Sequence, residues 1–139
     1  MYIKLVTDMP KTKKIMVVDD HPHTCQAVKY ILENEGFEVT TAGDGRECLS
    51  KLKTETPNLI IIDYLMPGMD GMQLCQKIRR DKKLQSLNVV FFSVARQELV
   101  GEENLRKAHV SDYIIKPFDN EDLVQRVKQI VCQGGGQNV

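Results

Sequence analysis

The sequence has no tryptophan, few other aromatic residues and no excess of either charge. Phe and Tyr contribute four residues each, and 19 Lys and Arg balance 19 Asp and Glu. A neutral chain has no bulk attraction to nucleic acid or to an anionic membrane, so we expect neither as a direct partner. No apolar stretch approaches the roughly 20 residues that span a bilayer. Asp8 and Pro10 interrupt the start of the chain, which therefore does not read as a signal peptide. Together these absences favour a cytoplasmic protein.

The cysteines lack the spacing of a metal site or of a disulfide framework. None of them forms a C-x-x-C pair or stands at ligand spacing from a histidine; they are Cys25, Cys48, Cys75 and Cys132. The pattern favours reduced thiols over a structural zinc site. Gly43-Asp44-Gly45 also falls short of a dinucleotide-binding fingerprint, because Cys48 stands where G-x-G-x-x-G has its third glycine.

Apolar runs alternate with segments of helical periodicity along the 139 residues, a length typical of one domain. The predicted strands lie in residues 14–20, 37–41, 59–63, 88–93 and 112–117. Strands and helices that alternate with short connections require a parallel sheet with helices on both faces. The sequence therefore predicts an α/β fold. It divides into an N-terminal arm (residues 1–13), one domain (14–133) and a glycine-rich tail (134–139).

Two helical segments differ from the others in charge and in regularity. The third is expected to turn Lys77, Arg79 and Arg80 to solvent. The fourth, within residues 94–108, is the least regular of all, because Gly101 weakens it.

The central feature of the sequence is an apolar run, residues 59–62, that leads directly into Asp63. A run without polar alternation is typical of a strand buried on both faces. Its acid must then lie where the strand ends and solvent begins. Open α/β sheets bind ligands at the carboxyl ends of their strands, so Asp63 is the predicted reactive group. The alternative is a strand-end Asp that only caps the following turn.

Polar residues also end the other strands. Asp19 and Asp20 follow the first, Ser93 ends the fourth and Lys116 ends the fifth. Carboxylates gathered at one edge would repel each other, and a hard divalent cation such as Mg²⁺ would relieve the repulsion. With the ammonium of Lys116 opposite and a hydroxyl at Ser93, such a site could hold a phosphoryl group on one carboxylate.

Two histidines, His21 and His23, follow the first pair of acids. One interpretation gives them a role in binding a metal, and the other, which the sequence favours, is a solvated helix start. Tyr113 is likewise open to two interpretations, a plain core aromatic or a functional residue.

Taken in order, these motifs resemble the receiver domain of two-component response regulators, of the kind found in the single-domain chemotaxis regulator. The resemblance covers residues 13–133. It rests on V-V-D-D at residues 17–20, I-I-D-x-x-M-P-G-M-D-G at 61–71, the Ser93 strand end and D-Y-I-I-K-P-F at 112–118. It implies a flavodoxin-like doubly wound (βα)5 three-layer sandwich, with a five-stranded parallel sheet in the order 2-1-3-4-5.

The resemblance also implies roles at the site. Asp63 would accept phosphate from a sensor histidine kinase or a phosphotransfer protein. Mg²⁺ would be bound by Asp20, Asp63 and the backbone carbonyl of Leu65, and by Asp19 through water. Lys116 would contact the phosphoryl group, and the peptide bond from Lys116 to Pro117 would be cis.

The implied switch connects the site to a distant face. Ser93 would be drawn toward the phosphate, and Tyr113 would turn inward into the vacated space. This change would repack the face made by the fourth helix, fifth strand and fifth helix, where a downstream protein target, an output domain or a second copy of the chain would bind. Such a domain is not an enzyme, since it catalyses only its own phosphorylation and dephosphorylation.

Some positions depart from the pattern of the family. Val94 stands where a small residue is usual and could narrow access to the phosphoryl group. His109 stands where a helix-ending Gly is common, so mild backbone strain is expected there. Leu65 and Ala95 are both apolar, so we expect a phosphoryl lifetime different from that of family members with polar residues at these positions.

Two other functions remain as alternatives. A metal-dependent aspartyl phosphatase normally has a second Asp two residues after its nucleophile, and that position is Leu65 here. A receiver-like adaptor that takes no phosphate would not need Asp19, Asp20, Asp63 and Lys116. Whether the chain acts alone or is part of a longer regulator is left open by the sequence.

Overall fold

A computed structural model describes residues 12–132 and contains a five-stranded parallel sheet. Its strands follow the order β2-β1-β3-β4-β5, which confirms the predicted α/β architecture and strand order. The strands are β1 (Lys14–Val18), β2 (Glu38–Ala42), β3 (Leu59–Asp63), β4 (Asn88–Ser93) and β5 (Asp112–Ile115). Residues 1–11 of the predicted arm, and the whole of the predicted tail, lie outside the described residues.

Helices connect the strands and cover both faces of the sheet. They are α1 (Pro22–Glu33), α2 (Gly45–Lys51), α3 (Gly71–Arg80), α4 (Gln97–Val100), α5 (Glu102–Ala108) and α6 (Asn120–Cys132). The irregular fourth segment of the sequence is broken into α4 and α5 at Gly101, whose φ of 94° suits glycine. Within residues 12–132, no helix is long and apolar enough to cross a membrane.

The sheet separates two apolar cores. Every residue of β3 is buried, and its side chains alternate between the two faces. Ile60 and Ile62 pack in one core with Leu74 of α3. Leu59 and Ile61 pack in the other core, with residues of α1 and α6. This two-sided burial explains why β3 has no polar alternation and why its acid stands at the strand end.

Strand register brings the polar strand ends to one edge of the sheet. Val18, the last residue of β1, pairs with Ile62 of β3. Asp63 pairs with Phe92, and Ser93 pairs with Ile115. Since all the strands are parallel, the residues that follow β1, β3, β4 and β5 emerge side by side. This edge carries the candidate site.

The expectation for one arginine of α3 was wrong. Lys77 and Arg80 are exposed, as predicted, but Arg79 is partly buried and donates hydrogen bonds to backbone carbonyls. Its Nε bonds Ala108 O at 2.9 Å, Nη1 bonds Gln85 O at 3.0 Å and Leu87 O at 2.7 Å, and Nη2 bonds His109 O at 2.9 Å. Arg79 therefore joins the end of α3 to the segments before β4 and β5.

Candidate functional site

Asp63 ends β3 with its side chain almost fully buried. It is 3 % exposed. The backbone N–H of Leu65 donates to its Oδ1 at 3.1 Å, and its Oδ2 lies 3.5 Å from Lys116 Nζ. Burial raises the pKa of Asp63 above its ordinary value, although the positive charge of Lys116 opposes this effect. The fold thus holds a carboxylate in surroundings that only partly compensate its charge.

Lys116 is the cation nearest to Asp63 and contacts a second acid more closely. Its Nζ donates to Asp19 Oδ2 at 2.7 Å and lies 4.4 Å from the ring centroid of Phe92. The residue follows β5, and its backbone N–H donates to Ser93 O at 2.8 Å. The peptide bond between Lys116 and Pro117 is cis. Lys116 is therefore held by hydrogen bonds of both its backbone and its side chain.

The residues after β1 complete an acidic cluster. Asp19 is 1 % exposed, and its Oδ1 accepts the backbone N–H of His21 at 2.8 Å. Asp20 is partly buried, and its Oδ1 has no hydrogen-bond partner among the residues that the structure describes. His21 Nδ1 lies 3.4 Å from this oxygen, outside hydrogen-bond geometry, and 3.1 Å from Asp19 Oδ1. Asp19, Asp20, His21 and Asp63 each offer a ligand atom within 4.8 Å of one another.

This cluster has the donor set of a divalent cation site. Three carboxylates converge on a space beside the ammonium of Lys116, and one buried carboxylate oxygen has no hydrogen-bond partner among residues 12–132. Carboxylate oxygens are the ligands that Mg²⁺ prefers. The residues present therefore fit Mg²⁺, with Asp19, Asp20 and Asp63 as those able to hold it.

Ser93 and Tyr113 both contact the backbone of one residue, Ala95, in the loop after β4. Ser93 is fully buried, and its Oγ accepts the N–H of Ala95 at 3.1 Å. The carbonyl of Ala95 accepts the hydroxyl of Tyr113 at 2.7 Å. The Tyr113 ring is 6 % exposed and packs edge to face against Phe91. The aromatic ring expected to turn inward on phosphorylation thus already lies inward in this structure.

Sequence reasoning left some of these contacts unresolved. It favoured a solvated helix start for His21, whose ring is indeed largely exposed but also lies against two acids. It did not identify Ala95 as the link between Ser93 and Tyr113, because that link uses backbone atoms that every residue type carries. Leu65 and Val94 are exposed, at 48 % and 68 %.

Comparison with known proteins gives a family match over most of the chain. The family described as "Response regulator receiver domain" matches residues 15–128. The alkaline phosphatase synthesis transcriptional regulatory protein PhoP of Bacillus subtilis is 35 % identical over 119 residues, which cover 86 % of this chain and 48 % of PhoP. The chain thus spans about half the length of this curated relative.

Solved structures show the same fold. A response regulator receiver domain protein (CheY-like) from Methanospirillum hungatei matches with a TM-score of 0.83 and 28 % identity, covering 92 % of this chain and 100 % of that one. The response regulator protein TrrA from Thermotoga maritima, in complex with Mg²⁺ and BeF, matches with a TM-score of 0.75 and 31 % identity. That match covers 86 % of this chain and 99 % of TrrA.

Proposed function

The chain belongs to the response regulator receiver domain family, and from this premise we propose that Asp63 accepts a phosphoryl group from a phospho-histidine. The donor would be a sensor histidine kinase or a phosphotransfer protein. The observation that carries this proposal is the convergence of buried Asp63, buried Asp19 and the Lys116 ammonium at the edge where Ser93 also ends its strand.

The transfer step assigns a task to each of these groups. A carboxylate oxygen of Asp63 forms a bond to phosphorus as the bond from phosphorus to the donor imidazole breaks, and the electron pair of that bond stays with the imidazole. The N–H of Leu65 holds the carboxylate in orientation. Lys116 neutralises negative charge on the phosphoryl oxygens, and the Ser93 hydroxyl would donate to one of them.

Mg²⁺ fits the same proposal. Asp20, Asp63 and the backbone carbonyl of Leu65 would hold it, and Asp19 would contact it through water. When bound, it would supply positive charge to the phosphoryl oxygens and screen the carboxylates from one another.

We further propose that the backbone of Ala95 carries the signal away from the site. Its N–H contacts Ser93 and its carbonyl contacts Tyr113. A Ser93 hydroxyl drawn to the phosphoryl group would release one of these bonds and shift the other. The affected face consists of α4, α5, β5 and α6, where a downstream target, an output domain or a second copy would bind. Leu99 of α4 and Ile115 of β5 are exposed apolar residues on this face.

The proposal is tested by phosphorylation with acetyl phosphate and Mg²⁺, followed by intact-mass measurement. The wild-type chain should gain the mass of one phosphoryl group, and Asp63→Asn should gain none. Asp44→Asn is the matched control, because Asp44 follows β2 at the same edge and caps α2 through an oxygen that Asn retains. This control should be phosphorylated like the wild type.

Two outcomes would replace the proposal. Continuous release of phosphate from many phosphate esters would favour the aspartyl phosphatase. Binding of Mg²⁺ without any gain of mass would favour the adaptor that takes no phosphate.

A further inference from the structure

We infer that His21 is an additional ligand of the divalent cation at this site, and that it gives the site higher affinity for nitrogen-preferring cations such as Co²⁺, Ni²⁺ and Zn²⁺ than the carboxylates alone would. The inference rests on the proposed function, since it concerns the same cation site. It adds that the imidazole of His21 influences which cation is bound.

The position of the ring carries the first step. His21 Nδ1 lies 3.4 Å from Asp20 Oδ1 and 3.1 Å from Asp19 Oδ1. Two atoms that bind one cation side by side, each at about 2.1 Å, lie about 3 Å apart. The spacing of the imidazole nitrogen from Asp20, a proposed direct ligand, is therefore close to that of neighbouring ligands on one ion, and Asp19 holds the ring beside it.

The local backbone explains why the ring lies there. His21 is the residue at the N-terminal cap of α1, in an extended conformation, and Pro22 follows it as the first helical residue. Its side chain makes no capping hydrogen bond to the helix. Its backbone N–H is instead fixed to Asp19 Oδ1 at 2.8 Å, which keeps the residue beside the acids.

The partnerless oxygen of Asp20 is the second observation that points to a cation. It is buried, it lacks a hydrogen bond among the described residues, and His21 Nδ1 lies 3.4 Å from it. A buried carboxylate oxygen without a partner is costly. A cation placed between Asp20, His21 and the other carboxylates would satisfy this oxygen and use the imidazole lone pair as well.

The chemistry of the donors then determines preference. Carboxylate oxygens suit Mg²⁺, whereas imidazole suits Zn²⁺, Ni²⁺ and Cu²⁺. Adding one imidazole nitrogen to a set of carboxylates raises the affinity of the site for Zn²⁺, Ni²⁺ and Cu²⁺ much more than for Mg²⁺. The 67 % exposure of the His21 side chain leaves it open to an ion that arrives from solvent.

The test compares cation affinities of the metal-free full chain and of three variants by equilibrium dialysis with Mg²⁺ and Co²⁺. His21→Phe keeps a ring of similar size but removes its nitrogen donors. His23→Phe is the matched control, because His23 is exposed, lies two residues further on and is absent from the cluster. Asp20→Asn should weaken the binding of both cations.

We expect His21→Phe to weaken Co²⁺ binding roughly tenfold or more while Mg²⁺ binding changes by less than about threefold. The visible absorption of bound Co²⁺ should also change in His21→Phe and stay unchanged in His23→Phe. All variants retain the four cysteines. A difference in Co²⁺ affinity between the wild type and His21→Phe therefore comes from the histidine and not from a thiol.

A second measurement uses the unmodified protein. On addition of Zn²⁺ at constant pH, the ring proton signals of His21 should shift in the NMR spectrum while those of His23 stay in place. Wild-type Co²⁺ affinity in His21→Phe, or an unshifted His21 ring, would overturn the inference and leave the proposed function standing. Failure of the wild-type chain to bind either Mg²⁺ or Co²⁺ would overturn both.

Discussion

Asp19 and Asp63 are both buried acids, but the fold compensates their charges unequally. Asp19 receives the ammonium of Lys116 at 2.7 Å and the backbone N–H of His21. Asp63 receives one backbone N–H, and its separation from the same ammonium is 3.5 Å. Asp63 is thus the acid with more unsatisfied charge, as its proposed role of phosphoryl acceptor requires.

The raised pKa of Asp63 predicts a stability that depends on pH. The folded state binds this proton more tightly than the unfolded state. The resulting stabilisation is complete below the ordinary carboxyl pKa of 3.8 and is lost as pH rises through the raised value. Without divalent cations, Asp63→Asn should therefore raise the free energy of unfolding at pH 7 by about 1 kcal/mol, a rise of a few degrees in Tm. Thermal unfolding from pH 7 to pH 3 measures this.

The gain from Asp63→Asn should shrink as the pH falls, because the wild-type acid becomes neutral too. Asp44→Asn should show no comparable gain at pH 7, since Asp44 is exposed. An Asp63→Asn protein that is less stable than the wild type at pH 7 would contradict the argument.

Leu65 predicts how long the phosphoryl group persists. It is half exposed beside Asp63 and offers no side-chain group that could orient an attacking water molecule. Leu65→Asn would add such a group and should shorten the lifetime of the phosphorylated state by up to roughly tenfold, which is about 1.4 kcal/mol of activation free energy. The loss of phosphoryl mass with time measures the lifetime. Leu65→Met is the control that keeps the position apolar, and equal lifetimes of the wild type and Leu65→Asn would count against the prediction.

At the scale of elements, the segment after β4 is the least regular part of the described chain. It consists of two short helices, α4 and α5, separated by Gly101 with its positive φ. Short helices add few internal hydrogen bonds and depend on packing for their stability. Val100, Leu105 and Ala108 supply that packing. An element held by so few contacts can change conformation at low cost, which suits the proposed switch.

His109 ends α5 in a strained conformation. Its φ of 56° and ψ of 44° are left-handed values that cost a residue with a side chain about 1 kcal/mol, which confirms the strain expected from sequence. His109→Gly should raise the free energy of unfolding by roughly 0.5 to 1 kcal/mol. Urea denaturation measures it. His109→Ala keeps the strain and should not stabilise the protein, so equal gains from both substitutions would show that the backbone is not the cause.

At the scale of the whole molecule, Arg79 ties together segments that are distant in sequence. Its guanidinium bonds carbonyls in the connection between α3 and β4 and at the end of α5. Both segments lead into neighbouring strands, β4 and β5. We interpret Arg79 as the group that fixes the end of α5. The movement proposed for α4 and α5 would then be confined to the end near Ser93.

Arg79→Ala should lower the free energy of unfolding by about 2 to 4 kcal/mol, because four carbonyls, two of them in partly buried hydrogen bonds, lose a charged donor. Arg80→Ala is the control. It removes the same side chain from the next, exposed position and should change stability by less than about 0.5 kcal/mol. Arg79→Lys should recover only part of the loss, since one ammonium cannot reach all four carbonyls. Equal effects of Arg79→Ala and Arg80→Ala in urea denaturation would contradict this role.

Much of the fold follows from patterns that a sequence states directly. Leu59 to Ile62 are apolar without alternation because both faces of the sheet are covered. Gly36 and Gly101 follow the ends of helices because they adopt positive φ. Strand boundaries were less accurate. The first strand was extended to Asp20 and the fifth to Pro117, whereas β1 ends at Val18 and β5 at Ile115. The residues that follow each strand continue the chain at the edge of the sheet, but they no longer pair with a neighbouring strand.

The sequence by itself determined that Asp19, Asp20, Asp63, Ser93 and Lys116 would share one edge, because parallel strands joined by right-handed crossovers leave their carboxyl ends no other place. Only the tertiary structure decided where individual groups point. It brought the His21 ring against two acids, joined Ser93 to Tyr113 through the backbone of Ala95, and turned Arg79 inward while Arg80 stayed in solvent. Those contacts depend on side-chain rotamers and on which backbone carbonyls lie within reach. Residue type and spacing along the chain do not specify either one.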